Sequence, residues 1–216
     1  HLAVLGWIGA AGDQSPHLQF RQAAEDRMRE LRGLTRLEEI ARRIDRAWEE
    51  AYQGASQDRR TDVVLAHRVE TVELPLRVVT AEECAAAREQ VAKLSQDPAQ
   101  HTLMRWHQRV IDRYEQQLAA PGATHPMELH VVRLGDVAIA TNNFELYTDF
   151  GVAIKARSPA LQTFILQLAG ESSYLPTARA VGGGGYGAVP QSNRVGPEGG
   201  QVLVDRTVEL IKSLWQ

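Results

Sequence analysis

Cysteine is almost absent from this chain. A single one, Cys84, occurs among 216 residues, which excludes an internal disulfide and any cysteine metal cluster. In the stretch C-A-A-A it reads as a small helix residue. No run of eighteen apolar residues occurs, so no transmembrane helix is expected. Neither sign of charge is in large excess: the formal net charge is −3, and bases are interspersed with acids as on a solvated helix face. Nothing therefore draws the chain generally to nucleic acid or to anionic membranes. No repeat, disordered linker or signal peptide is read in these residues. The chain opens on His1 and enters an apolar run at once, which reads as the later part of a longer protein.

Several motifs are missing as well. None of the seven histidines sits in H-E-x-x-H or in a paired H-x-H arrangement. The glycine run Val181–Gly187 lacks the Gly-Lys-Ser/Thr that lets a lysine and a hydroxyl meet phosphate and magnesium. It also lacks the immediately following helix of a dinucleotide fingerprint. Its glycines instead read as positions where the backbone passes close to a substrate or a neighbouring strand.

What is present is 44% hydrophobic residues, enough for a packed core. Residues 2–9 read as a short buried strand and residues 18–32 as a helix closed by Gly33. Thr35-Arg36-Leu37-Glu38 is a capping box. The helix it opens places Leu37, Ile40, Ala41, Ile44, Ala47, Trp48 and Ala51 on one face, with Gly54 as its stop. Within 62–78, Val69, Thr71/Val72 and Leu74 alternate with charged residues, giving a half-exposed strand with Pro75 at an edge or bend. Thr80-Ala81-Glu82-Glu83 opens a helix to about Leu94. Another helix spans 99–119, broken by Pro121-Gly122. Met127–Leu134 and Val137–Thr141 form a hairpin around Gly135-Asp136. Glu145 to Arg157 reads as helical, Thr163–Ala169 as a strand, and 199–214 as a last helix. The order predicts a mixed α/β (α+β) domain, with a β-sheet core flanked by helices.

Two places invite chemistry. In G-A-A-G-D-Q-S-P-H, residues 9–17, Gly12 and Asp13 favour a turn, while Ser15-Pro16 can cap and begin a helix. Such a loop is also where enzymes expose a nucleophile, although G-x-S-x-G is not present. Glu145 directly follows a strand and Asn142-Asn143; its carboxylate suits either a helix N-terminus or a metal or proton-transfer role. Tyr174 and Tyr186 flank the glycine run.

Taken in order, G-D-Q-S-P, F-E-L-Y-T-D-F-G and Y-L-P-T with a later tyrosine resemble the neutral/alkaline (non-lysosomal) ceramidase family, in a divergent bacterial branch. Gly12, Asp13, Ser15 and Pro16 match its serine loop, with His17 replacing an asparagine. Glu145, Thr148 and Gly151 match its glutamate segment, with Phe144 replacing a glycine. Tyr174, Thr177 and Tyr186 reproduce its tyrosine spacing, and Gly196-Pro197 matches a G-P before the last helix. Between the tyrosines, A-R-A-V-G-G-G-G replaces the family's E-E-Y-x-x-Q-R.

The resemblance covers about residues 3–214, only in outline through the helical middle. It implies that 1–216 is the later portion of one catalytic domain, without a separate C-terminal immunoglobulin-like domain. It implies a zinc-dependent amide hydrolase that splits N-acyl sphingoid bases or related N-acyl amines into fatty acid and amine. Glu145 and Tyr174 are then zinc ligands, and Tyr186 an oxyanion donor. Ser15 is nucleophile or positioning group, Asp13 orients its loop, and Gly12, Pro16, Thr177, Gly183 and Gly184 belong to the substrate loops. The family's two histidine ligands lie upstream in an H-x-H-S-G-P-like segment absent from this chain, so the missing N-terminal part is an expected partner. The family's habit is secretion or the cell surface. A non-catalytic relative retaining the fold, or a hydrolase of non-sphingolipid N-acyl substrates, stays open.

Overall fold

A computed structural model describes residues 4–171 and 173–216. The chain divides into two compact units: Ser15–Val63, and the residues up to Gln14 together with Val64–Gln216.

The smaller unit holds α1 (Gln22–Leu31) and α2 (Arg36–Ala55). The capping box at Thr35 is formed. The Glu38 N–H donates to Thr35 Oγ1 at 3.3 Å and the Thr35 N–H to Glu38 Oε2 at 2.7 Å, so two otherwise unpaired donors are satisfied reciprocally. Gly33, at φ +65°, makes the left-handed turn between the helices. The first helix begins later than its sequence suggests, because Arg21 adopts φ +56° and interrupts the helical path. The apolar face of α2 departs from expectation too: Leu37 is 76% and Ile44 66% exposed. The buried side chain of α2 is Glu39, 6% exposed. It accepts from Arg42, Arg43 and Arg32, while Arg43 also reaches Glu25 of α1 at 2.8 Å.

The larger unit is built on four strands in the order β1-β2-β3-β5: β1 (Leu65–Pro75), β2 (Thr124–Leu134), β3 (Val137–Thr141) and β5 (Gln162–Leu166). The first three pair antiparallel, and β5 joins β3 in parallel. Gly135, at φ +59°, turns the predicted β2–β3 hairpin. Along β2, Met127, Leu129 and Val131 alternate inward with the period of a half-covered sheet. Helix α7 (Pro197–Ser213) covers that face with Leu203, Val204, Val208 and Ile211, and α5 (Thr148–Arg157) adds Phe150 and Ile154. Helices α3 (Ala81–Leu94) and α4 (His101–Ala119) pair over a second cluster of Val79, Cys84, Ala87, Val110 and Ile111. Cys84 is buried there as a small apolar residue. This is the mixed α/β class that the element order predicts. Among the described residues no helix is long and apolar enough to cross a membrane.

Three expectations are corrected in this unit. Of the predicted 2–9 strand, residues 2 and 3 lie outside the described residues, and 4–9 form no strand and are exposed. Ile8 accepts one bond, from the Gln167 N–H at 3.0 Å, but an apolar run alone does not supply a ladder partner. Glu145 is not helical: Glu145–Leu146 is a short strand, β4, paired in parallel with β6 (Tyr174–Leu175), and α5 starts only at Thr148. The glycine run is in part a helix, α6 (Ala178–Gly183), which Gly184 ends at φ +70°. A Cβ at Gly182, Gly183, Gly184 or Gly185 would meet open space, so no close approach within the chain explains these glycines.

Candidate functional site

Pairing of β4 with β6 sets Glu145 directly opposite Tyr174. The Glu145 N–H donates to Ser173 O and the Tyr147 N–H to Leu175 O, each at 3.2 Å; the Tyr174 N–H donates to Ser192 O at 3.1 Å. With the backbones tied on both sides, the two side chains meet. Hydrogen bonding to the facing Glu145 carboxylate, with burial and the nearby negative charge, pushes the Tyr174 phenol up to about 12. A proton that is part of a hydrogen bond to a carboxylate is harder to remove. No ion pair involves Glu145 among the described residues.

The opening loop is seated over this pair by backbone geometry. The Gly12 N–H donates to Leu146 O at 2.8 Å, and a Cβ at position 12 would overlap the Glu145 carbonyl. Only glycine permits that approach. Gly151 does the same for Ala10, whose Cβ occupies the space a side chain would need. Asp13 then reaches the start of α5: its Oδ1 accepts from the Thr148 N–H at 2.8 Å and from Thr148 Oγ1 at 2.7 Å. Burial alone would raise the Asp13 carboxyl, but these bonds prevail and hold it below the ordinary carboxylate range. Asp13 and Thr148 thus act together as a long-range helix cap, with the negative charge at the favourable end of α5.

Tyr186 stands at the open side, 69% exposed. Its ring meets that of Tyr174 edge-on with centroids 5.8 Å apart and lies against Trp106 at 6.1 Å, interplanar angle 18°. A third tyrosine, unforeseen from sequence, completes the cluster. Tyr147 is buried, and burial together with the Asp13 and Glu145 charges raises its phenol above the ordinary value. Its Oη and the Tyr174 ring lie 2.7 and 2.8 Å from where a Cβ of Gly187 would stand. The missed signal is period two: on a strand, positions 145 and 147 share a side, whereas the helical reading separates them. Gln167 was missed too. Its Oε1 accepts from Ala11 N–H at 3.2 Å and Leu146 N–H at 3.0 Å, joining the opening loop to β4.

The remaining predicted residues have local roles or lie elsewhere. Thr177 caps α6, its Oγ1 accepting from the Ala180 N–H at 3.3 Å. Gly183 and Gly184 form the exposed end of that helix. Phe144, which stands where a glycine was anticipated, is fully buried and packs its ring edge-on to His125 at 5.9 Å. Ser15 and Pro16 begin the smaller unit. Ser15 Oγ lies 3.0 Å from His17 Nδ1 and accepts from the His17 N–H at 3.2 Å. That is a short turn, and no helix starts at Pro16 as the capping reading suggested; α1 begins at Gln22.

As donors to a metal, Glu145 and Tyr174 offer one anionic and one phenolic oxygen at a single point, a pair compatible with a borderline cation such as zinc. No group of three His, Cys, Asp or Glu side chains suited to a metal occurs among the described residues. The chain matches no family model, no curated protein and no solved structure.

Proposed function

We propose that this chain is the later portion of a zinc-dependent amide hydrolase of neutral ceramidase type, acting on N-acyl sphingoid bases or related N-acyl amines. The observation that carries this reading is the register of β4 on β6, which sets Glu145 opposite Tyr174, with Tyr186 against the same tyrosine ring. All three are among the site residues that the resemblance implies, and Glu145 comes from a segment of the sequence separate from the two tyrosines.

Glu145 and Tyr174 would hold the metal with two histidines from the segment that the family carries upstream of the serine loop. Bound there, zinc supplies Lewis-acid polarisation of an amide carbonyl and activation of water. Glu145 contributes the negative charge that retains the cation. Tyr174, a phenol with a proton to lose, is a weaker and adjustable oxygen donor. Tyr186, exposed and anchored on Trp106, can donate to the carbonyl oxygen as that oxygen gains charge. Gln167 keeps the opening loop on β4 and Asp13 keeps it on the start of α5, and together they fix the wall of the site. Ser15 enters through the sequence resemblance alone, as nucleophile or positioning group.

The test is made on a polypeptide that includes the upstream histidines. Zinc is measured by elemental analysis and amide hydrolysis is followed on an N-acyl sphingosine, for wild type and Glu145→Ala. Loss of both zinc and hydrolysis in the variant is expected; unchanged zinc content and turnover would overturn the assignment.

A further inference from the structure

The aromatic contact that anchors Tyr186 opens onto a groove of about 610 Å³ along the first turns of α4. This size is in the range of small-molecule sites. Its lining includes the apolar surfaces of Leu103, Trp106 and Tyr186. It also includes Arg105 and Arg109, which are four residues apart on α4 and therefore on the same face. Both are exposed, and neither has a hydrogen-bond or ion-pair partner among the described residues. Most other arginines with a described contact in this unit, such as Arg77, Arg157 and Arg206, are committed to carboxylates. No aspartate or glutamate lines the groove, although acids outnumber bases in the chain as a whole. Two like charges on adjacent turns repel each other, and an anion between them relieves that repulsion while gaining charge-assisted hydrogen bonds.

Resting on the reading of Glu145, Tyr174 and Tyr186 as the reactive end, we propose that this groove selects an N-acyl amine bearing an anionic group, a carboxylate or a phosphate. The anion sits on Arg105 and Arg109 and the hydrocarbon lies against Trp106 and Leu103. The ring series Trp106–Tyr186–Tyr174, with centroid separations of 6.1 and 5.8 Å, runs from the groove to Glu145. A neutral ceramide offers the two guanidiniums no negative charge, so the preferred substrate class differs from uncharged N-acyl sphingoid bases.

Calorimetric titration of the 216-residue chain, without metal, tests this. Three probes share one short acyl chain: N-octanoylglycine, N-octanoyl-O-phosphoethanolamine and the uncharged N-octanoylethanolamine. At least one anionic probe is expected to bind about tenfold tighter than the uncharged one, and the better of the two identifies carboxylate or phosphate. In Arg105→Gln/Arg109→Gln that advantage disappears while the uncharged probe binds as before. Added salt weakens the anionic probe alone in wild type, a readout that does not depend on the variant folding. Equal binding of all three, no binding of any, or an advantage that survives the double substitution would overturn the proposal. Because no metal or turnover is involved, an anion preference that persists while Glu145→Ala leaves zinc and hydrolysis unchanged separates the groove's function from that of the hydrolase site.

Discussion

Between Val64 and Gln216 the chain buries Leu129, Val131, Ile154, Leu203 and Ile211, whereas among the described residues of Ser15–Val63 the buried side chain is the carboxylate-bearing Glu39. Both stretches contain amphipathic helices with well-made caps. What differs is long-range backbone pairing: the larger unit has a sheet against which an apolar helix face can be buried, and the smaller has two helices joined by arginine–carboxylate contacts. Caps and surface ion pairs contribute little each, and most helical stability in a folded unit comes from packing an apolar face. An apolar stripe is therefore permission to pack and does not by itself create a partner.

That contrast can be broken by parallel truncations. Leu129→Ala should cost roughly 2–5 kcal/mol, as for a fully buried leucine that leaves a cavity, while Leu37→Ala, on the exposed stripe, should stay within about 0.5 kcal/mol. Urea unfolding of both variants checks this, and equal costs would refute the division. Gly12→Ala should cost about 1–3 kcal/mol, because the added methyl meets the Glu145 carbonyl and forces the loop from β4. The same variant should bring the Tyr174 phenol down from about 12, as the Glu145 contact loosens, which ultraviolet absorbance titration reads directly. Thr35→Ala removes the cap of α2 and should cost about 1 kcal/mol of local helix stability, seen as earlier hydrogen exchange confined to 36–55.

The smallest effect expected concerns acid. The Arg42 hydrogen bonds, opposed by burial and aided by Arg43, hold Glu39 at about 2 against an ordinary 4.5. A carboxyl depressed on folding contributes stability that is complete above its unfolded value and is lost as pH falls through the folded one. Wild type should therefore lose this contribution between about pH 4.5 and 2, and Glu39→Gln should flatten the acid limb of a circular-dichroism titration in that window. An unchanged limb would show that the arginine cluster is ornamental to the smaller unit.

Much of the secondary structure was legible because its causes are local. The capping boxes at Thr35 and Thr80 both form, with N–H to hydroxyl distances of 3.3 and 3.1 Å, and Gly135 turns its hairpin. Failures came where a local signal lacked a partner or met a stronger distant one. The 4–9 run is apolar enough for a strand but has no ladder to join. Glu145 begins a stretch with helical composition, yet pairing with Tyr174 holds it extended for two residues before Asp13 caps the helix at Thr148.

The sequence by itself determined the starts of α2 and α3 and the β2–β3 turn, since those choices involve groups within three or four residues of one another. It also carried the spacing of Gly12, Asp13, Glu145, Tyr174 and Tyr186 on which a resemblance could rest. Only the tertiary structure decided that Gly12 must be glycine, that Asp13 serves α5, that Tyr147 joins the cluster, and that two unpartnered arginines share a groove with Tyr186. Each of these depends on which backbones come within contact distance after long loops close, a free energy summed over the whole unit rather than over one helical turn.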